Sequence, residues 1–216
     1  MLALYGHPFS SYTWKALIAL YANDTAFTFR VIGPDHPEHS EELGRRSPIG
    51  KFPLLVDGDR AVFESTAIIE YLDLCYPGTV PLLPRDPLEA VEARMLDRVL
   101  DNYVMEPMSA IVTAHIRSPG SPDADVIARA RATLDRTYPW LDGWLGRRGE
   151  SDGIGLIECA AAPSLFYADW VHPIPAEYDR LGQWRKRLLA LPAVARCVDD
   201  ARPYRPLFPP GAPDRD

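Results

Sequence analysis

Apolar positions in the first third of the chain fall into short runs that alternate between two periods. "LALYG" (2–6) reads as a buried strand, and Trp14, Leu17, Ile18 and Tyr21 recur at the i, i+3, i+4, i+7 spacing of one helix face over 11–22. "AFTFRVI" (26–32) reads as a second strand, and the polar segment after it has room for a short helix at 38–45. "FPLLVDGDRAVF" (52–63) reads as a hairpin, because Asp57-Gly58 is a turn signal between two apolar runs. A helix capped by Ser65 follows, with Ile68, Tyr71, Leu72 and Cys75 on one face, and Pro77-Gly78 stops it.

Past this point the period is helical throughout. "PGTVPLLPRDP" (77–87), with four prolines, reads as a linker. Asp86-Pro87 starts a long helix with Leu96, Val99, Leu100 and Tyr103 as its stripe, and Pro107 predicts a kink by removing a backbone bond. After a loop at 118–123, Ile127, Leu134, Tyr138, Leu141 and Leu145 mark a helix in which Pro139 predicts a bend or an early end. "GLIECAAAPSLFYADWV" (155–171) is apolar nearly all round, as a central buried helix would be. Two further helices at 176–191 and 193–201 precede an irregular proline-rich tail at 202–216. The expected fold is therefore α/β plus all-α. The β-α-β-α-β-β-α order over 1–78 is the thioredoxin-like arrangement, 79–87 is a linker, and 88–216 is an all-helical domain.

Composition narrows the partners. A chain of 216 residues, 47% hydrophobic and 25% charged, suits one or two compact domains. A net charge of −7 argues against nucleic acid or a polybasic membrane anchor as partner. No apolar run approaches the roughly 18 residues of a membrane span. Cys75, Cys159 and Cys197 are scattered, with no metal or CxxC spacing, so no metal is expected and the thiols read as buried. With no basic leader and no cleavage site at the N-terminus, a cytoplasmic location is the expectation.

The candidate chemistry starts at "HPFSSYTW". Ser10 and Ser11 stand where a helix start has unpaired N–H groups and a positive dipole end. A serine there either caps the helix or offers its hydroxyl to an anion, and one cap needs only one serine. From these residues alone both readings stand.

Taken with the element order, "GKFPLLVDGDRAVFESTAIIEYL" (50–72) resembles the cytosolic glutathione transferases, and the resemblance covers essentially the whole chain. The family pattern is Gly-Lys-x-Pro-x-Leu, a hairpin, then Glu/Gln-Ser opening a helix. Its Ser/Thr-x-x-Asp capping motif reads Gly155-x-x-Glu158 here, which keeps half of the reciprocal box and predicts a weaker cap.

The resemblance implies glutathione as co-substrate. It implies a cis Pro53 that aims the N–H and C=O of Phe52 at the ligand, where the residues alone also allow a proline starting an edge strand. It gives the γ-glutamyl ammonium to Glu64 and the carboxylate to Ser65 at a helix N-terminus, where an ordinary hairpin end and cap are the plainer reading. Lys51 either reaches the glycyl carboxylate or is solvated. "SSYTWKALIAL" (10–20) resembles the zeta-class "SSCxWRVRIAL", in which the first serine activates the glutathione sulfur. Carried over, Ser10 donates a hydrogen bond to the thiolate, with Ser11 as helper. Lowering a thiol pKa of about 8.5 by about two units takes about 2.7 kcal/mol. A hydrogen bond to a charged group supplies roughly 1.5–3 kcal/mol, and a helix dipole about 0.3–1 kcal/mol.

The departures are informative. Tyr12 replaces the zeta-class cysteine and no cysteine precedes Cys75, which argues against the thiol-dependent members of the superfamily. His7 either lines the site or lies outside it, and His36 and His39 read as surface residues. No nucleophile-elbow motif supports a Ser-His-Asp hydrolase. The pocket for a small-molecule electrophile is expected between the domains, and Tyr12, Tyr103, Met108, His115 and Trp170 are each either pocket or core. Where zeta-type isomerases carry a carboxylate-binding arginine, counting from Gly155 through Pro163 reaches Trp170, and their Gln-Ser pair is Glu64-Ser65. The expected activity is thus glutathione transfer to small, largely apolar electrophiles. The alternatives are glutathione-dependent cis–trans isomerisation and a non-catalytic ligand-binding module. A homodimer joined through the helices around 65–76 and 86–116 is also implied.

Overall fold

Alternation in the first strand decides how the sheet is covered. β1 (Leu2–Gly6) pairs parallel with β2 (Thr28–Val31) and antiparallel with β3 (Leu54–Asp57), which turns back into β4 (Arg60–Phe63). The order is β2-β1-β3-β4. Leu2, Leu4 and Leu55 join the core that includes α1 (Ser11–Ala22) and α3 (Ser65–Cys75), while Leu54 and Val56 cluster with Leu43 of α2 (Pro37–Arg46). Burial of β3 on both faces explains why its sequence is a continuous apolar run rather than an alternating one. Gly58, at φ +58°, makes the tight turn between β3 and β4. The thioredoxin-like order is as the sequence predicts. The computed structural model describes residues 1–79, 81–148 and 153–216.

Six α-helices follow among these residues: α4 (Pro87–Leu100), α5 (Glu106–Arg117), α6 (Ala124–Arg148), α7 (Leu156–Val171), α8 (Asp179–Ala190) and α9 (Pro192–Ala201). All 16 residues of α7 are buried, and one continuous core runs from the sheet through α1 into α7. The Glu158 carboxylate accepts from the Gly155 N–H at 2.9 Å, so the surviving half of the capping box is formed.

Several elements depart from expectation. β2 is shorter than 26–32. Asp86 caps α4 by accepting from the N–H groups of Leu88 (2.9 Å) and Glu89 (3.0 Å), but the long helix does not simply kink at Pro107. A π-helical turn at Asp101–Met105 separates α4 from α5, with the Glu106 N–H bonded to the Asp101 carbonyl five residues back. Pro107 has no N–H for Tyr103 and its ring would strike that carbonyl, and the wider turn accommodates both. Pro139 ends nothing, since α6 runs unbroken for 25 residues. Glu64, not Ser65, occupies the cap position of α3, and Ser65 is its first helical residue. The tail forms a 3₁₀ turn at Arg202–Leu207 and is tied down by the ion pairs of Arg202 and Arg205 with Asp216 and of Arg215 with Asp169. Cys159 and Cys197 are buried, whereas Cys75 is exposed.

One polar cluster sits inside the apolar interior. Lys15 of α1 is fully buried, and its Nζ lies 2.7 Å from Asp97 Oδ1 and 2.8 Å from both Asp101 carboxylate oxygens. Thr66 of α3 donates to Asp97 Oδ2 at 2.8 Å, and Arg98 pairs with both aspartates. Two cations thus balance two anions. Burial pushes the Asp101 carboxyl above the ordinary range, against the pull of Lys15. Removing one partner of such a buried pair costs about 3–5 kcal/mol, because the other charge is left uncompensated. Lys15→Ala should therefore lower the urea-unfolding free energy by about that amount, with partial recovery when Asp97→Asn is added. A loss under about 1 kcal/mol would show that the charges are solvated or compensated without Lys15.

Candidate active site

The segment between β1 and α1 is held from several sides. A Cβ on Gly6 would lie 2.5 Å from the Thr13 side chain, so only glycine lets α1 start this close to the strand end. The Ser10 N–H bonds the His7 carbonyl at 3.0 Å, and the Phe9 N–H bonds His7 Nδ1 at 3.1 Å. Burial lowers the His7 pKa, in keeping with a neutral ring that accepts this bond. From α1 itself, the Trp14 indole donates to the Pro8 carbonyl at 2.6 Å, and from α7 the Tyr167 hydroxyl donates to the Phe9 carbonyl at 3.1 Å.

Ser10 is the N-cap of α1. Its Oγ accepts from the Thr13 N–H at 3.2 Å, which uses a lone pair and leaves the hydroxyl hydrogen free to donate elsewhere. Ser11 is the first helical residue.

Two neighbouring cavities lie beside this helix start. The first, of about 380 Å³, is lined by Tyr12, Lys51, Phe52, Pro53, Glu64 and Ser65, together with Ser47, Ile49, Phe63, Arg98, Asp101, Asn102, Glu106 and Ser109. The second, of about 370 Å³, is lined by Ser10 and Ser11 and by Phe9, Met108, Ser109, Val112, Thr113, Ile116, Tyr167, Leu207, Phe208 and Pro209. Ser109 lines both, and Ser11 and Tyr12 are consecutive, so the two spaces are neighbours.

The walls of the first cavity are irregular. The Phe52-Pro53 peptide is cis. Glu64 has φ +71°, a conformation that side-chain-bearing residues rarely adopt and that clusters at functional sites. That turn presents Ser65 at the N-terminus of α3, with the backbone N–H groups that suit an anion. Lys51 and Arg98 add positive charge, while Glu64, Asp101 and Glu106 add negative charge, so the cavity suits a zwitterion. Burial, followed by the nearby Asp101 and Glu106 charges, pushes the Tyr12 phenol up to about 12, so it stays protonated and keeps a hydrogen to donate.

The predicted residues divide cleanly. Lys51, Phe52, Pro53, Glu64, Ser65 and Tyr12 come together in the first cavity, and Ser10, Ser11 and Met108 in the second. Tyr103 and Trp170 line neither. Tyr103 is half exposed on the π-helical turn. Trp170 is 8% exposed in an aromatic cluster, with its ring 4.6 Å from Phe166 and 5.1 Å from Phe208. His115 turns back on its own helix, with Nδ1 2.9 Å from the Ile111 carbonyl. Arg98, Asn102, Glu106, Ser109 and Ser47 line the first cavity without having stood out in the sequence. The available signal was charge on the buried stripe of α4, where Asp97 and Asp101 interrupt apolar spacing.

Comparison with known proteins places these features in context. The pattern of the family described as Glutathione S-transferase, N-terminal domain, matches residues 4–81. A probable maleylacetoacetate isomerase from Caenorhabditis elegans is 34% identical over 202 residues, covering 93% of this chain and 94% of that protein. One from Vibrio cholerae is 28% identical over 213 residues, covering 94% and 97%. A glutathione S-transferase from Methylobacterium radiotolerans, solved in complex with glutathione sulfonate, superposes with a TM-score of 0.76 at 26% identity, covering 91% of this chain and 94% of that one.

The cap at Ser10 can be tested apart from any chemistry. Ser10→Ala should cost about 1 kcal/mol of unfolding free energy in urea, and Ser10→Gly only a few tenths. No difference between alanine and glycine at this position would argue against the cap bond.

Proposed function

The chain belongs to the cytosolic glutathione transferase superfamily and is a glutathione S-transferase, and on that premise we propose a serine-assisted mechanism acting on small, largely apolar electrophiles. The observation that carries this reading is that the two cavities are neighbours at the start of α1, with Tyr12 lining the first and Ser10 and Ser11 the second. Glutathione lies in the first cavity, its peptide backbone against Phe52 beside the cis Pro53. Ser65 and the α3 N-terminus take the γ-glutamyl carboxylate, Glu64 the ammonium, and Lys51 the glycyl carboxylate. The cysteinyl sulfur then reaches the junction with the second cavity.

Ionisation of the thiol is assisted there by the Ser10 hydroxyl. Its oxygen is anchored by the Thr13 N–H, so its hydrogen is the part left to point outward. The thiol proton leaves to solvent, the thiolate forms a C–S bond to the electrophilic carbon, and the leaving group departs with the electron pair of the broken bond. Where the acceptor is an enone, the resulting carbanion takes a proton from water instead. Ser10 stays protonated throughout, and Ser11 acts as helper.

The second cavity supports the choice of electrophile. Phe9, Met108, Val112, Ile116, Leu207 and Phe208 supply an apolar wall, and no Arg, Lys or His is among its lining residues. Glutathione-dependent cis–trans isomerisation is the second reading, favoured by the two relatives named probable maleylacetoacetate isomerases. A dianionic substrate would need a cation where this cavity offers aromatic and aliphatic side chains.

The enzyme is proposed to act as a cytoplasmic homodimer. Leu74 on α3 and Leu88, Val91 and Met95 on α4 are exposed apolar residues on the two helices expected to meet the partner. No helix among the described residues is long and apolar enough to cross a membrane.

A panel of aryl halides, enones, epoxides and peroxides assayed with glutathione should show turnover on aryl halides or enones. Maleylacetoacetate should be isomerised one to four decades less efficiently than by an enzyme with a paired cation, the equivalent of about 2–5 kcal/mol. Isomerisation at ordinary enzyme efficiency with no transfer activity would put the second reading first. Light scattering at micromolar concentration should give twice the chain mass, and a monomer mass would count against the dimer.

A further inference from the structure

Away from the cleft, the turn that leads from β2 into α2 brings together three side chains with no part in the reaction described above. His36, Glu38 and His39 each offer one ligand atom, and these atoms all lie within 4.8 Å of one another. Glu38 Oε1 is 3.4 Å from His36 Nδ1 and 3.6 Å from His39 Nε2. Four ligands held tetrahedrally at about 2.1 Å from a zinc ion are separated by roughly 3.4 Å. Two of the three edges, at 3.4 and 3.6 Å, already lie close to that figure.

We propose that His36, Glu38 and His39 form a binding site for a late first-row divalent cation such as Zn²⁺, with water completing the coordination. Two imidazoles and a carboxylate are a donor set that suits zinc, copper and nickel. The site is partly built before the ion arrives. His39 Nδ1 lies 2.8 Å from the Val31 carbonyl, and a carbonyl can only accept, so the Nδ1 hydrogen is fixed there. In the neutral ring this leaves the Nε2 lone pair directed at the Glu38 side. A backbone carbonyl that orients a histidine in this way is the usual support of a metal-binding imidazole.

The second histidine is constrained as well. The His36 and His39 rings stack with centroids 4.9 Å apart, and the His39 N–H bonds the His36 carbonyl at 3.1 Å. Pro37, first in α2, fixes the backbone between His36 and Glu38. His39 is well covered, with its side chain 12% exposed, while His36 at 49% leaves the ion a route from solvent. Charge also favours a cation, since the chain carries a net −7. An ion held here would fasten the start of α2 to β2.

Titration calorimetry of the tag-free protein with Zn²⁺ should give one site per chain, and excess Zn²⁺ should raise the unfolding temperature by mass action. His36→Ala and His39→Ala should each weaken binding by at least about tenfold. Cys75→Ser, which removes the exposed thiol, should leave it unchanged. With Cu²⁺, electron paramagnetic resonance should show hyperfine coupling to two imidazole nitrogens in the native chain and to one in either histidine variant. No binding, binding abolished by Cys75→Ser, or binding indifferent to both histidine substitutions would overturn the proposal.

Discussion

A fully buried lysine must have its charge answered, and the answer given to Lys15 organises the cleft. Asp97 and Asp101 come from α4 and the π-helical turn, and Thr66 comes from α3. Each partner belongs to or adjoins a wall of the first cavity: Tyr12 of α1 lines it, Thr66 follows the lining residue Ser65, and Asp101 lines it directly. The cluster therefore fixes three walls relative to one another. An apolar replacement of similar volume could pack as well, but it would not dictate which turn of α4 faces α1.

Around this fixed point the irregular backbone gathers at the cleft. Glu64 with its positive φ, the cis peptide before Pro53 and the π-helical turn all border the first cavity. Regular elements bury their own N–H and C=O groups in ladders, so a surface meant to bond a ligand has to depart from them. α7 supplies the opposite quality. Its full burial and its Tyr167 bond to the Phe9 carbonyl give the serine segment a rigid backing.

Much of this was legible in the chain and some was not. The element order was visible because strands and helices differ in period, and the Phe52-Pro53 and Glu64-Ser65 pairs because they lie in contiguous motifs. The Lys15 cluster was not visible, because its partners are separated by 82 and 86 residues in sequence and only the fold brings them together. Pro107 announced a disruption, but whether a helix answers with a kink or a wider turn depends on its neighbours. Trp170 looked like a pocket candidate on motif counting and proved to be aromatic core, since helix periodicity does not say which face of a wholly buried helix meets a cavity. His36 and His39 read as surface residues, as His36 is, and the distances from their rings to Glu38 are set by how the start of α2 folds.

In the proposed mechanism a neutral hydroxyl does what cationic residues do in other thiol-activating sites. Capping Thr13 orients the Ser10 oxygen, the helix dipole favours negative charge at the sulfur, and no nearby group needs to give up a proton. Ultraviolet titration of the bound glutathione thiolate measures this directly, in the native enzyme and in Ser10→Ala. The expected result is a bound thiol pKa about two units below the free value of about 8.5, rising by at least about one unit in the variant. Equal pKa values in the two proteins would contradict the role given to Ser10.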